Sequence, residues 1–172
     1  MTSERNYSKR SIYHRDLSDV VKPLSISGAV ARKGDSLISQ ELFLPFQPTP
    51  KGRPRFTRTG HAYTPKKTSD YEQHIADYYK LHNGIFFEGP IEVKIIFYMP
   101  IPKGTPKRVI NLMKEGDYPH TKKPDLDNLA KAMLDALNGV AFTDDSNITA
   151  LKLSKTYNTS PGIWLAIKEV CS

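Results

Sequence analysis

Apolar and polar positions along the chain predict two helices of ordinary length. In residues 125–138 the apolar side chains recur every three or four positions and Asn138-Gly139 supplies a stop signal, a pattern typical of an amphipathic helix. A second helix is expected to begin at Thr68 or Ser69, either of which can cap it, and to end near His82. These two segments form the predicted helical layer of the fold.

Strands account for most of the remaining regular structure. Residues 91–99 carry apolar side chains with a period of two, which indicates a strand that Pro100 closes. Other runs rich in apolar side chains predict strands in residues 42–46, 148–157 and 163–170. An irregular hairpin is expected in residues 53–64, with its turn at Thr59-Gly60.

Two segments lack a sustained period. Residues 101–124 are basic, with a few apolar side chains that suit a helical turn or two, and we interpret them as a long, mobile loop. Residues 1–40 are interpreted as an N-terminal extension, a candidate for disorder, so residues 41–172 make up the folded domain. Because strands and helices alternate there without a regular βαβ repeat, the expected fold is α+β: a single mixed-sheet domain packed with two main helices.

The distribution of charge points to a polyanionic partner. The chain carries 25 Lys+Arg against 18 Asp+Glu, a formal net charge of +7. Residues 42–69 contain no acid, but they hold six basic residues: Lys51, Arg53, Arg55, Arg58, Lys66 and Lys67. Such a segment favours phosphate contacts with a nucleic acid, although an ordinary solvated face has the same composition.

Cysteine content and hydropathy narrow the class of protein. Cys171 is the only cysteine, so an internal disulfide is excluded and any metal ion must be held by oxygen or imidazole ligands. No apolar stretch approaches the ~20 residues that a membrane-spanning helix needs, and the basic, polar N-terminus lacks the apolar core of a signal peptide. We therefore expect a cytoplasmic protein without a membrane partner.

Two acids at the start of the predicted helix of residues 125–138 are the first candidates for chemistry. Leu126 faces the core side of that helix, which leaves Asp125 and Asp127 to face solvent together. Two carboxylates and phosphate oxygens are a ligand set that suits Mg²⁺, so the motif fits phosphate chemistry. Asp144 or Asp145 is in position along the chain to supply a third carboxylate.

Each of these acids also has an ordinary structural explanation. Asp125 is a suitable helix cap, and Asp127 is a favourable first-turn acid that can pair with Lys131 one turn later. Residues 144–147 suit a polar turn before a strand. A D-x-D motif alone is weakly specific, so local sequence leaves both explanations open.

The motifs taken together resemble a known family. The run Lys123-Pro-Asp-Leu-Asp-Asn-Leu-Ala-Lys131, followed by Leu134-Asp-Ala-Leu-Asn-Gly139 and Phe142-Thr-Asp-Asp145, is similar to the signature of the RusA family of Holliday junction resolvases. Upstream, Arg53-Pro-Arg-Phe-Thr-Arg58 and Tyr63-Thr-Pro-Lys-Lys67 resemble the basic hairpin of the family's Gram-positive and prophage-type members. The likeness covers about residues 41–170, and the joint occurrence in this order makes it specific.

The resemblance implies a Mg²⁺-dependent endodeoxyribonuclease that resolves Holliday junctions by paired symmetric nicks during DNA recombination and repair. It implies Asp125, Asp127 and Asp145 as metal ligands and leaves open whether Asp144 shares in metal binding. It also implies that Lys131 acts in catalysis, and that the protein is a homodimer on branched DNA. The expected DNA contacts are the basic residues near these motifs: Arg53, Arg55, Arg58, Lys66, Lys67, Lys122 and Lys123.

Other functions use parts of the same evidence. A Mg²⁺-dependent nuclease for flaps, forks or other branched DNA would need the same carboxylates. A noncatalytic DNA-binding accessory protein would retain the fold, but the intact acids and Lys131 argue against it. The sequence departs from the best-known members at Lys122-Lys123-Pro124, where they carry an arginine run. Four of the five histidines, His61, His74, His82 and His120, are assigned no role.

Overall fold

The computed structural model describes residues 38–53 and 55–170; for residues 55 and 56 the description covers the backbone only. Its helices are α1 (Lys66–Leu81), α2 (Lys107–Glu115) and α3 (Leu126–Leu137), and a short 3₁₀ helix spans Asp145–Asn147. Its strands are β1 (Ser39–Leu44), β2 (Arg55–Phe56), β3 (Ala62–Tyr63), β4 (Ile91–Pro100), β5 (Ile148–Asn158) and β6 (Gly162–Glu169). None of the described helices is long and apolar enough to cross a membrane.

Four of the strands form one mixed sheet in the order β1-β6-β4-β5. Strands β1 and β4 both pair antiparallel with β6, and the fourth strand, β5, runs parallel to β4. In this register Ile95 of β4 lies between Leu165 of β6 and Leu153 of β5. The predicted α+β fold with a mixed sheet is thereby confirmed.

One face of this sheet carries the hydrophobic core. The period of two in β4 directs Val93, Ile95 and Phe97 to that face, and all three are fully buried. Helices α1 and α3 pack there, and their buried side chains include Ile75, Tyr79, Leu129, Met133 and Leu137. Burial of a large apolar side chain contributes roughly 1.5–3 kcal/mol, so this face holds the helices in place.

Helix α1 begins earlier than the sequence pattern predicts. Its N-cap position is Pro65, with φ −56° and ψ 137°, rather than Thr68 or Ser69. Proline has no N–H and a fixed φ, so it is well suited to the start of a helix. Thr68 instead lies within the first turn, is buried, and accepts a hydrogen bond from the Gly52 N–H at 3.2 Å.

Residues 101–124, interpreted as a loop with a helical turn or two, contain a regular helix of nine residues in their middle part. Helix α2 follows Pro106 and ends at Gly116, which adopts the left-handed conformation with φ 81°. Proline before a helix and glycine after it are ordinary start and stop signals. The helix buries Met113 and packs beside β5, which explains how so short and polar a segment becomes helical.

Most of the predicted N-terminal extension, residues 1–37, and Cys171 lie outside the described residues. Strand β1 starts at Ser39, two residues before the expected start of the domain. The hairpin of β2 and β3 is confirmed: the two strands are antiparallel, and Gly60 occupies their turn with φ 83°.

Candidate active site

The N-terminus of α3 presents two acids to solvent. Asp125 occupies the N-cap position, but its side chain makes no capping hydrogen bond. Asp127 lies in the first turn, and both side chains are exposed, whereas Leu126 between them packs against the core. The capping explanation for Asp125 is therefore not realised, and its carboxylate is available for another partner.

Lys131 is exposed one helical turn after Asp127. Among the described residues, the salt bridge that α3 makes is formed by Asp135 with Lys51, and none joins Asp127 to Lys131. The ion-pair explanation for Asp127 and Lys131 is therefore not realised either. The amine of Lys131 faces the solvent on the same side of α3 as the Asp127 carboxylate.

Asp144 and Asp145 differ in what they contact. The Asp144 carboxylate accepts a hydrogen bond from the Ser146 N–H at 3.0 Å and so caps the 3₁₀ helix. Hydrogen bonds from the side chain and the N–H of Ser146 lower the pKa of Asp144 below its ordinary value. Asp145 is exposed in the first turn of that helix, and its carboxylate has no such capping role.

The acids lie at opposite ends of α3 within one chain. At the C-terminal end of α3, the Gly139 N–H donates to the Phe142 carbonyl at 2.8 Å, and Asp145 follows three residues later. Strand β5 then runs back along the helix, and Lys155 reaches the Pro124 carbonyl at the N-terminal end. Twelve residues of α-helix measure ~18 Å, so Asp145 is separated from Asp125 by a distance of that order.

A single chain therefore does not assemble the three carboxylates. Among the described residues, no group of three His, Cys, Asp or Glu side chains is placed to hold a metal ion. The pair Asp125 and Asp127 fits Mg²⁺ in part, because this ion is commonly held by one or two carboxylates together with substrate phosphate and water.

Lys51 fastens the basic segment to α3. Its N–H donates to the Asn128 carbonyl at 3.1 Å, and its amine contacts Asp135 at 2.6 Å and Glu72 of α1 at 2.5 Å. Burial alone would lower the pKa of Lys51, but the hydrogen bonds to Asp135 and Glu72 outweigh it and the pKa is raised. Lys51 is thus a structural cation at the base of the hairpin.

Some of the basic residues expected to contact DNA lie near the N-terminus of α3. Arg53 follows the anchored Lys51 by two residues, and Lys122 and Lys123 lie in the loop just before Asp125. The exposed side chains of this set are Arg53, Arg58, Lys66, Lys67, Lys122 and Lys123, and the side chain of Arg55 is not among the described ones. The exposed acids of the D-L-D motif therefore lie close to exposed basic residues, Lys122 and Lys123 among them.

Comparison with known proteins decides which family this domain represents. A protein-family model described as endodeoxyribonuclease RusA matches residues 45–168, which is well over half of the chain. The chain belongs to the RusA family. An uncharacterized protein of Bacillus subtilis (strain 168), YqaN, is also similar: the two are 34% identical over 130 residues, which covers 72% of this chain and 92% of the relative.

Membership in the RusA family gives the domain the character of an endodeoxyribonuclease, a hydrolase of DNA. Sequence reasoning missed two residues of this RusA domain that lie behind the D-L-D motif. The Lys155 amine donates to the carbonyls of Lys122 and Pro124, at 2.8 and 2.7 Å. The sequence feature that could have identified Lys155 is its position in β5: it lies two residues from Leu153, which contacts the core, and therefore on the helix-facing side of the strand.

His120 is the second residue missed. Its ring lies 4.5 Å from the ring of Tyr157, and its Nδ1 is buried without a hydrogen-bond partner among the described residues. Burial lowers the pKa of His120, and the positive charges of Lys155 and Lys122 lower it further. The imidazole is therefore neutral near pH 7, and no pattern in the sequence singled it out.

Proposed function

We propose that this chain is a Mg²⁺-dependent, structure-specific endonuclease that resolves four-way DNA junctions by paired symmetric nicks in recombination and repair. The observation that carries the proposal is the pair of exposed, uncommitted carboxylates of Asp125 and Asp127 inside a basic surface, in a domain of the RusA family. Neither acid has a structural partner within residues 38–53 and 55–170, which a capping role would require, and both suit a cation that approaches with DNA.

The acids and Lys131 have different roles in the proposed reaction. Asp125 and Asp127 would hold the ion, and Asp145 would complete the ligand set. When bound, Mg²⁺ supplies charge neutralisation at the phosphate and an activated water for hydrolysis. Lys131 stabilises the negative charge that develops on the phosphate oxygens, because its amine is exposed one turn from Asp127.

The surrounding cations position the DNA. Arg53, Lys122 and Lys123 are exposed near the N-terminus of α3 and Arg58 is exposed on the hairpin, so they can contact phosphates on both sides of the scissile bond. Contacts of this kind set register and orientation without reading bases. A junction brings two arms together at its crossover and offers such a surface more phosphates than one duplex does.

A homodimer would solve the problem of the distant third carboxylate. Within one chain, Asp145 lies at the far end of α3 from Asp125 and Asp127. In a two-fold dimer, Asp145 of each copy can meet the carboxylate pair of the other, which gives two composite sites related by symmetry. A four-way junction has approximate two-fold symmetry, and two related sites would nick two opposed strands.

A cleavage panel tests this proposal. Labelled four-way junctions, flaps, forks and linear duplex, all with common arm sequences, would be incubated with the full chain and Mg²⁺. We expect paired, symmetrically placed nicks in the junction and little cutting of the duplex. Cutting of flaps or forks in preference to junctions would favour the other branched-DNA nuclease, and junction binding without any cutting would favour a noncatalytic accessory protein.

A further inference from the structure

Lys155 is a basic residue on the core side of the sheet. It lies on β5 opposite Phe97 of β4, a fully buried residue, and alternation places it on the same face as Leu153 and Tyr157. Its side chain is half-buried. A charged amine in such surroundings needs close polar partners, because desolvation of an ammonium group is costly.

The partners of this amine are backbone carbonyls of the loop that leads to the active site. The Lys155 Nζ donates to the carbonyl of Lys122 at 2.8 Å and to that of Pro124 at 2.7 Å. Hydrogen bonds from an ammonium group are short and stronger than neutral ones, and these distances are typical of them. Pro124 is directly followed by Asp125, so one of the two bonds ends at the peptide group that joins Pro124 to Asp125.

Aromatic contacts hold the preceding part of the same loop against the same strand. The rings of His120 and Tyr118 lie 4.5 and 6.2 Å from the ring of Tyr157, two residues beyond Lys155 on β5. Residues 118–124 therefore lie along the end of β5, with two rings on Tyr157 and two carbonyls on Lys155. The rest of β5 is fixed by its register with β4.

We propose that Lys155 is a positioning residue for the D-L-D carboxylates. Its ammonium group ties the loop to the sheet, so that Asp125 enters α3 at a fixed place. The effect of this positioning on catalysis rests on the proposed function, whereas the contact between Lys155 and the loop does not depend on it. Groups that orient metal ligands typically change metal affinity by ~10–100-fold when they are removed.

Three variants separate this role from its alternatives. Lys155→Met removes the N–H donors and keeps most of the side-chain volume. Lys155→Arg keeps the positive charge and N–H donors for the two carbonyls. Lys152→Met removes a lysine from the exposed side of the same strand and serves as the matched control. For each, amide hydrogen exchange of residues 118–127 would be measured without metal, together with junction affinity in Ca²⁺ and the Mg²⁺ dependence of single-turnover junction cleavage.

In Lys155→Met we expect faster exchange in this loop, little change in junction affinity because Lys122 and Lys123 keep their charges, and a Mg²⁺ requirement raised by ~10-fold. Lys155→Arg should bring loop exchange and the Mg²⁺ requirement most of the way back to the wild-type values, and Lys152→Met should resemble the wild type. Unchanged exchange in Lys155→Met would overturn the proposal, as would weaker junction binding with an unchanged Mg²⁺ requirement, since that result assigns Lys155 to DNA contact. If the wild type cuts no junction, the proposed function fails, and loop exchange alone then decides the role of Lys155.

Discussion

Asp125 and Asp144 both stand directly before a helix, but they use their carboxylates differently. Asp144 accepts the Ser146 N–H and acts as a cap, whereas Asp125 makes no capping bond. The difference lies in local backbone geometry, which is invisible in two similar stretches of sequence. At the residue scale, the structure thus separates an acid with a structural partner from one that is available to a ligand.

Acid should destabilise the fold through His120. Its pKa is lowered from the ordinary 6.5, so the folded chain binds fewer protons at this position than the unfolded chain. The resulting stability is present above about pH 6.5 and is lost as the pH falls toward the folded pKa. The charges that face this ring are Lys155 and Lys122, which disfavour its protonation.

We therefore expect His120→Gln to unfold with a smaller loss of stability between about pH 7 and about pH 5 than the wild type. Denaturant unfolding at a series of pH values measures this difference. His61→Gln, which changes an exposed histidine, is the control and should keep the wild-type slope. An identical pH dependence in wild type and His120→Gln would contradict the prediction.

At the scale of elements, helices and strands with a regular apolar pattern were predicted well, whereas helix starts that depend on local features were not. Helix α3 was expected over residues 125–138 and spans Leu126–Leu137, because its apolar stripe is the face that packs on the sheet. The start of α1 was placed a few residues too late and α2 was expected only as a helical turn or two, whereas Pro65 and Pro106 mark the starts of these two helices. Helix α2 is only nine residues long and is stabilised by contact with β5, which no local pattern reveals.

Lys51 should stabilise the packing of α1 against α3 and also hold the base of the β2–β3 hairpin in place. It lies between Glu72 of α1 and Asp135 of α3, so Lys51→Met leaves two carboxylates facing each other without a cation. We expect a loss of about 1–2 kcal/mol in the free energy of unfolding, and weaker junction binding because the hairpin base is displaced. Chemical denaturation and junction titration measure the two effects.

The matched control for this prediction is Lys80→Met, which removes an exposed lysine from the last turn of α1. It should change the free energy of unfolding by less than about 0.5 kcal/mol. A Lys51→Met protein as stable as this control would contradict the coupling.

At the scale of the whole molecule, the sequence predicted the acids correctly as exposed groups but not their distribution in space. The order of motifs suggests one cluster, yet Asp145 lies ~18 Å of helix away from Asp125. The distance arises because β5 returns along α3 only after Asp145, and chain order alone cannot give that path. Lys122 and Lys123 come just before Asp125 in the chain, and Lys51 joins the base of the hairpin to Asn128 of α3, so basic residues lie near the Asp125 end.

A mixing experiment tests whether active sites are shared between copies. Asp125→Asn and Asp145→Asn proteins, each inactive alone, would be unfolded, mixed and refolded together. If each site combines Asp125 of one copy with Asp145 of the other, mixed dimers retain one intact site and regain nicking of a single strand. Sites confined to one chain would leave every mixture inactive.

The most direct test of the central claim is cleavage of a four-way junction by wild type, Asp127→Asn and Asp70→Asn, with Mg²⁺ or EDTA, beside a binding assay for each protein. Asp70 is an exposed acid on α1, so its replacement makes the same chemical change away from the proposed site. We predict Mg²⁺-dependent symmetric nicks by wild type and Asp70→Asn, and none by Asp127→Asn although it binds the junction. Cleavage by Asp127→Asn at the wild-type rate, or by wild type in EDTA, would contradict the account.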